Sequence, residues 1–114
     1  MSSTTKTIGD SGEDRACEYL RGRKFKIIER NWRTRYCEID IIAKKKKRLY
    51  FVEVKTRKSS DFGRGEDYVT PKKLQQMKFA AEAWVNTNQW KGEYQLAVIG
   101  ITGEELNYVE VLYN

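Results

Sequence analysis

The chain has 114 residues, 22 of them Lys or Arg against 16 Asp or Glu, for a formal charge of +6: too short for two ordinary domains and basic enough to draw polyanionic partners. Hydrophobic residues at 39% and aromatics at 12% supply one modest core, and charged residues at 33% surround it with an ionic surface, so disorder throughout is disfavoured. No apolar run is long enough for a membrane span and the first residues are polar, which disfavours membrane insertion and secretion and favours a cytoplasmic location.

Residues 1–8 are expected to form a flexible tail and residues 9–114 a single domain. Ser11-Gly12-Glu13-Asp14 fits a capping box, so the first helix is predicted to begin there and to end near Gly22. Its core-facing stripe, Glu13, Ala16, Cys17 and Leu20, opens with a carboxylate. From Phe25 the pattern reads as a strand, and Ile27 beside Ile28 predicts a bulge or twist before Trp32. Residues 36–43 and 48–55 are rich in β-branched and aromatic residues and flank a lysine run, which predicts an antiparallel hairpin. Residues 58–69 lack apolar periodicity and read as a mobile loop, with Gly63 and Gly65 letting it close on a substrate. Thr70-Pro71 caps a long helix in which Leu74, Met77, Ala81, Trp84 and Val85 recur at helical spacing to about Asn88. Tyr94 to Ile101 is almost continuously apolar, as in a strand covered on both faces and reached by a crossover that sets it parallel to the earlier strand. Leu106 to Tyr113 closes the chain as a last strand.

The charge is unevenly spread. Residues 21–58 hold 15 basic and 4 acidic side chains, a net of +11, while the rest holds 7 and 12. Arg30, Arg33 and Arg35, then Lys44, Lys45, Lys46, Lys47 and Arg48, then Arg57 and Lys58 return at the ends of the middle strands and are the candidates for gripping a phosphate backbone. Such binding weakens steeply with salt, and Trp32 and Tyr36 among the arginines would stack on exposed bases.

Candidate chemistry is set by exclusion and by misplaced acids. The sequence has no histidine, so imidazole-based triads and dyads are absent, and Cys17 and Cys37 form no CxxC pair for zinc or redox work. What remains is carboxylates, lysines and a metal. Strict alternation would set Glu38, Asp40 and Ile42 on one face of the first hairpin strand, and Leu49, Phe51, Glu53 and Lys55 on one face of the second. If Ala43 pairs with Arg48, Asp40 lies diagonal to Glu53; if Lys44 pairs with Leu49, it lies opposite. Both registers imply a four-residue loop, and either lets the two carboxylates converge on one hard cation, Mg²⁺ or Mn²⁺. Such an ion would polarise a phosphate and lower the pKa of an attacking water. Lys55 would orient that water or offset charge at phosphorus, and Glu13 would hold the metal's water or a second ion.

The ordered blocks Gly12-Glu13 with Ala16 and Tyr19-Leu20, Arg30-Asn31-Trp32-Arg33, Glu38-Ile39-Asp40-Ile41-Ile42-Ala43 and Phe51-Val52-Glu53-Val54-Lys55-Thr56-Arg57 resemble the PD-(D/E)xK, or restriction-endonuclease-like, superfamily. The likeness is greatest to the YraN-type group, related to archaeal Holliday-junction resolvases. The resemblance implies an α/β fold: an α-β-β-β-α-β core with a mixed sheet flanked by helices, plus here a C-terminal strand. It implies a Mg²⁺- or Mn²⁺-dependent endonuclease acting on DNA, branched or damaged DNA included, with Asp40, Glu53 and Lys55 as the catalytic and metal set and Glu13 as the matching first-helix acid. The rival expectation is a nucleic-acid-binding protein on the same scaffold without turnover. Cys37 stands where the family pattern usually has glycine, and Gln95 and Ala97 replace an Arg-Phe-Asp stretch. The apolar last strand offers an edge for a homodimer that cuts both strands.

Overall fold

The computed structural model describes residues 8–35, 37–57 and 69–111. The expectations for the tail up to Thr7, for the loop with Gly63 and Gly65, and for Tyr36 and Lys58 lie outside the described residues. The elements run α1 (Ile8–Gly22), β1 (Lys26–Arg33), β2 (Glu38–Lys45), β3 (Arg48–Arg57), α2 (Pro71–Thr87), β4 (Glu93–Thr102) and β5 (Glu105–Val111). One five-stranded sheet has the order β1-β2-β3-β4-β5. Only β3 and β4 are parallel, in register from Arg48↔Glu93 to Arg57↔Thr102, with α2 in the crossover between them.

Each helix covers one face of the sheet. Ala16, Cys17 and Leu20 of α1 pack on Ile41, Ala43, Val52, Ala97 and Ile99, and Met77, Ala80, Ala81 and Trp84 of α2 pack on Ile39, Ile42, Phe51 and Leu96. The continuous burial of β4 from Leu96 to Ile101 follows from its position between two strands and beneath both helices. Trp84 and Phe51 meet edge to face at 6.0 Å, and Trp84 Nε1 donates to Glu29 Oε1 at 3.1 Å, so the indole's one polar atom is satisfied at the rim of the core.

Helix α2 starts at its local cap signal, whereas α1 starts before its own. Thr70 Oγ1 accepts from Lys73 N at 3.1 Å and Pro71 opens the helix, as the cap signal predicts. Helix α1 instead begins at Ile8, ahead of the expected capping box. Gly12 is there for a different reason: a Cβ at this position would lie 2.5 Å from Thr56 Oγ1, so the glycine lets α1 approach β3 closely. Both helices close with paired hydrogen bonds, Phe25 N to Leu20 O and Lys24 N to Arg21 O, then Trp90 N to Val85 O and Gln89 N to Asn86 O, with Lys24 and Gln89 in the left-handed conformation. In β1 the register shifts between Ile27 and Glu29, and the extra residue, Ile28, is turned out to solvent: the bulge predicted from the adjacent isoleucines.

Candidate functional site

Strands β2 and β3 pair from Lys45↔Arg48 to Ile41↔Val52. This is the second of the two expected registers, carried one pair further, so the loop is Lys46-Lys47 rather than four residues, with Lys46 at φ 58° taking the left-handed conformation that a tight hairpin turn requires. Continued one step the other way, the register sets Asp40 opposite Glu53. Past the last backbone pair, Val54 N–H donates to Asp40 Oδ2 at 2.7 Å, so a carboxylate takes up the hydrogen bonding where the ladder ends.

The alternation expected along β2 fails at this point. Ile41 belongs to the core under α1, yet Ile39, two residues away, belongs to the core under α2. Strand β1 does the same: Arg30 reaches the acids of α1, while Trp32 packs on the α2 side. Between them Asn31 has φ 56°, a left-handed residue that reverses which way the following side chains point. Glu38, Asp40 and Ile42 therefore do not line one face, and residues from both faces of the sheet can reach the same end of the hairpin.

Five acids and four cations gather there. Glu53 is the one buried charged residue among those described, 5% exposed, with Lys55 Nζ 3.5 Å from its Oε2 and Lys73 Nζ, from the first turn of α2, 3.7 Å from its Oε1. Glu13 lies 3.5 Å from Arg30, which also binds Asp14 at 2.9 Å. With its amide nitrogen turned toward the acids, Asn31 donates to both oxygens of Glu13 at 3.1 Å and to Glu38 Oε2 at 2.9 Å. Glu38 Oε1 takes Arg33 at 3.4 Å. Burial and then the charge of Glu53 push the Asp40 carboxyl up to about 7. Burial and then the charge of Asp40 also raise Glu13, against the pull of Arg30 and Asn31. These couplings run from Glu13 through Asp40 to Glu53, so the acids of α1, β2 and β3 share one electrostatic neighbourhood.

Among the described residues no three Asp, Glu, Cys or His side chains close into a metal-binding group. A carboxylate whose proton affinity is raised by burial and by a neighbouring carboxylate's charge nevertheless suits a cation that keeps most of its ligands as water and substrate oxygens, which is how Mg²⁺ binds. The donor set present is Asp40 with Glu53. Both oxygens of Glu13 are already engaged by Asn31.

The candidate backbone-gripping cations separate into two groups. Arg30, Arg33, Arg35 and Arg57 lie at the carboxylate end, and Arg30 and Arg33 are committed to acids. Lys44 to Arg48 lie at the opposite end of the hairpin, with Lys44 over the Trp90 ring, Lys45 over Phe25 and Arg48 on Glu93 at 2.7 Å. Two residues come to the carboxylates that the sequence did not place there. Asn31 was visible only as a motif letter, and its signal, a non-glycine left-handed residue, is a backbone property. Lys73 stands with other polar residues on a helix face, and only the packing of α2 brings it to Glu53. At the position that is glycine in the family pattern, the partly buried Cys37 side chain packs against the core under α2.

An α-β-β-β-α-β chain folded as this mixed sheet between two helices, with one added C-terminal strand, is a restriction-endonuclease-like domain. Residues 12–101 match the uncharacterised protein family UPF0102, and the chain belongs to that family, the YraN-type nuclease-like group. It is 44% identical to a UPF0102 protein of Cytophaga hutchinsonii over 98 residues, covering 86% of this chain and 87% of that protein. It is 41% identical to one from Syntrophomonas wolfei over 101 residues, covering 88% of each. No helix among the described residues is long and apolar enough to cross a membrane. Family membership carries the fold and leaves the reaction to be argued from the site.

Proposed function

We propose that this protein is a cytoplasmic, Mg²⁺- or Mn²⁺-dependent nuclease that hydrolyses phosphodiester bonds in DNA, with branched or damaged DNA as candidate substrates. The observation that carries the reading is the neighbouring pair Asp40 and Glu53, where burial and then the charge of Glu53 raise Asp40 to about 7, with Lys55 on the same buried Glu53 carboxylate. A bound divalent ion supplies Lewis-acid polarisation of the phosphate and a lowered water pKa, and Asp40 and Glu53 are the residues that would hold it. In the hydrolysis the water oxygen bonds to phosphorus, the bond to the leaving sugar oxygen breaks, and a proton passes to that oxygen. Lys55 Nζ offsets the negative charge that builds on the phosphate. Lys73 holds Glu53 Oε1 and so fixes the rotamer that leaves Oε2 beside Lys55. Asn31 ties Glu13 to Glu38 and keeps these acids from swinging apart, which gives Glu13 an assisting place at the rim. Strand β5 ends the sheet, and its open edge is where a second copy would add a strand.

One observation favours binding without turnover: Glu53 already has two lysines within 4 Å, which offset part of its charge without any metal. Cleavage of plasmid and four-way-junction DNA with Mn²⁺ separates the readings. Lys55→Ala is expected to lower cutting at least a hundredfold, on the order of a lost transition-state charge, while DNA affinity stays within about threefold. Undiminished cutting by that variant would remove Lys55 and the assigned site from the chemistry.

A further inference from the structure

The positive charge that looked like one patch in the sequence is two patches in space, and only one of them is compensated. Around Asp40 and Glu53, Arg30, Arg33, Lys55 and Lys73 are paired with acids. At the other end of the sheet, Lys26 stands in register with Lys44, Lys45 with Arg48, and Arg48 with Glu93. Lys24, Lys26, Lys46 and Lys47 are exposed there, Lys91 is exposed in the connection before β4, and Glu93 is already held by Arg48. A groove of about 480 Å³ lies among Lys45 to Arg48, Tyr50, Gly92 and Glu93.

This end is braced. A Cβ on Gly92 would lie 2.9 Å from the Lys47 carbonyl, so the connection before β4 presses directly on the hairpin turn. Trp90 Nε1 donates to Glu93 O at 3.0 Å and its ring carries the Lys44 ammonium at 5.4 Å. Lys45 covers Phe25 in the same way at 5.0 Å. Trp90 and Phe25 thus each carry a lysine, and Tyr50 is buried edge to face against Phe25 at 4.8 Å, so the pole presents little bare ring for an unstacked base, which single-strand recognition needs. Across β1 to β4 the cations span three strand spacings, about 14 Å, close to the roughly 12 Å width of a DNA major groove.

We infer that this basic pole is a second nucleic-acid contact, separate from the carboxylate site, which anchors the phosphates of a double-stranded segment. Five residue pairs separate Asp40 and Glu53 from Lys45 and Arg48, about 17 Å along the hairpin, which matches about five base pairs of duplex rise. The anchoring stands on its own. The spacing rests on the proposed nuclease reading, and it requires about five base pairs of duplex on one side of the cut.

Binding to a 20-base-pair duplex, the matching single strand and anionic phospholipid vesicles, measured in EDTA across a salt series, tests the anchor without any turnover. Lys46→Glu with Lys47→Glu is expected to weaken duplex binding at least tenfold and to flatten the slope of log K against log salt by about 2. A charge-matched control on the outer face of α2, Lys72→Glu, Gln75→Glu and Asn86→Glu, should weaken it less than threefold. Equal losses in the two variants, tighter binding of the single strand than of the duplex, or a loss confined to vesicles would each overturn the anchor. Mapping Mn²⁺-dependent cuts on end-labelled duplexes tests the spacing: cuts reaching both ends equally would overturn it. Survival of cutting in Lys55→Ala would strike the assigned carboxylate site and leave the EDTA measurements intact.

Discussion

Asp40 carries the largest electrostatic cost in the described site, and its position explains why. It is partly buried, lies near the charge of Glu53, and has one strong donor, the Val54 N–H at 2.7 Å. Its ordinary value of 3.8 rises to about 7 in the folded chain, so folding takes up a proton between those limits. The folded state then binds more protons than the unfolded state, and stability falls as pH rises through that window. Asp40→Asn keeps an oxygen for Val54 N–H and removes the charge. In metal-free buffer at pH 8 it should be more stable than the parent by about 1–3 kcal/mol, with the difference shrinking towards pH 4. Urea denaturation at both pH values measures this, and parallel curves would mean that Asp40 ionises normally.

The elements hold the site through a few close contacts. Helix α1 brings Glu13 to the sheet, and its distance from β3 is set by Gly12 against Thr56 Oγ1. Gly12→Ala gains about 1 kcal/mol of helix propensity but forces the helix off the strand or Thr56 off its rotamer, an overpacking cost of about 1–3 kcal/mol. Thr56→Ala removes the obstructing oxygen. A double-mutant cycle should therefore give a coupling of at least about 1 kcal/mol, with the double variant regaining the stability lost by Gly12→Ala. Additive losses would show that α1 is not held at this point. The hairpin of β2 and β3 depends on its two-residue turn in a comparable way, since a one-residue slip would send Asp40 and Glu53 to opposite faces.

For the whole molecule, a ligand that binds only the folded chain raises its melting temperature. At a hundred times its dissociation constant, Mn²⁺ should stabilise by about 2.7 kcal/mol, roughly 10 °C for a domain of this size, and Glu53→Gln should abolish the shift. Calorimetry at pH 8 reads both, and an unchanged shift in Glu53→Gln would place the ion elsewhere. The order of helices and strands, the bulge at Ile28, the hairpin and the parallel crossover were all legible in the sequence, because each depends on periodicity and on neighbouring residues. So was the likeness carried by the Asp40 and Glu53-x-Lys55 blocks. The hairpin register, the reversal of faces at Asn31, the arrival of Lys73 from α2 and the division of the basic run into a compensated site and an open pole were decided by tertiary structure. Those features depend on how the chain turns at single left-handed residues and on which distant segments pack together, and a linear pattern of residue types does not encode either distance or direction.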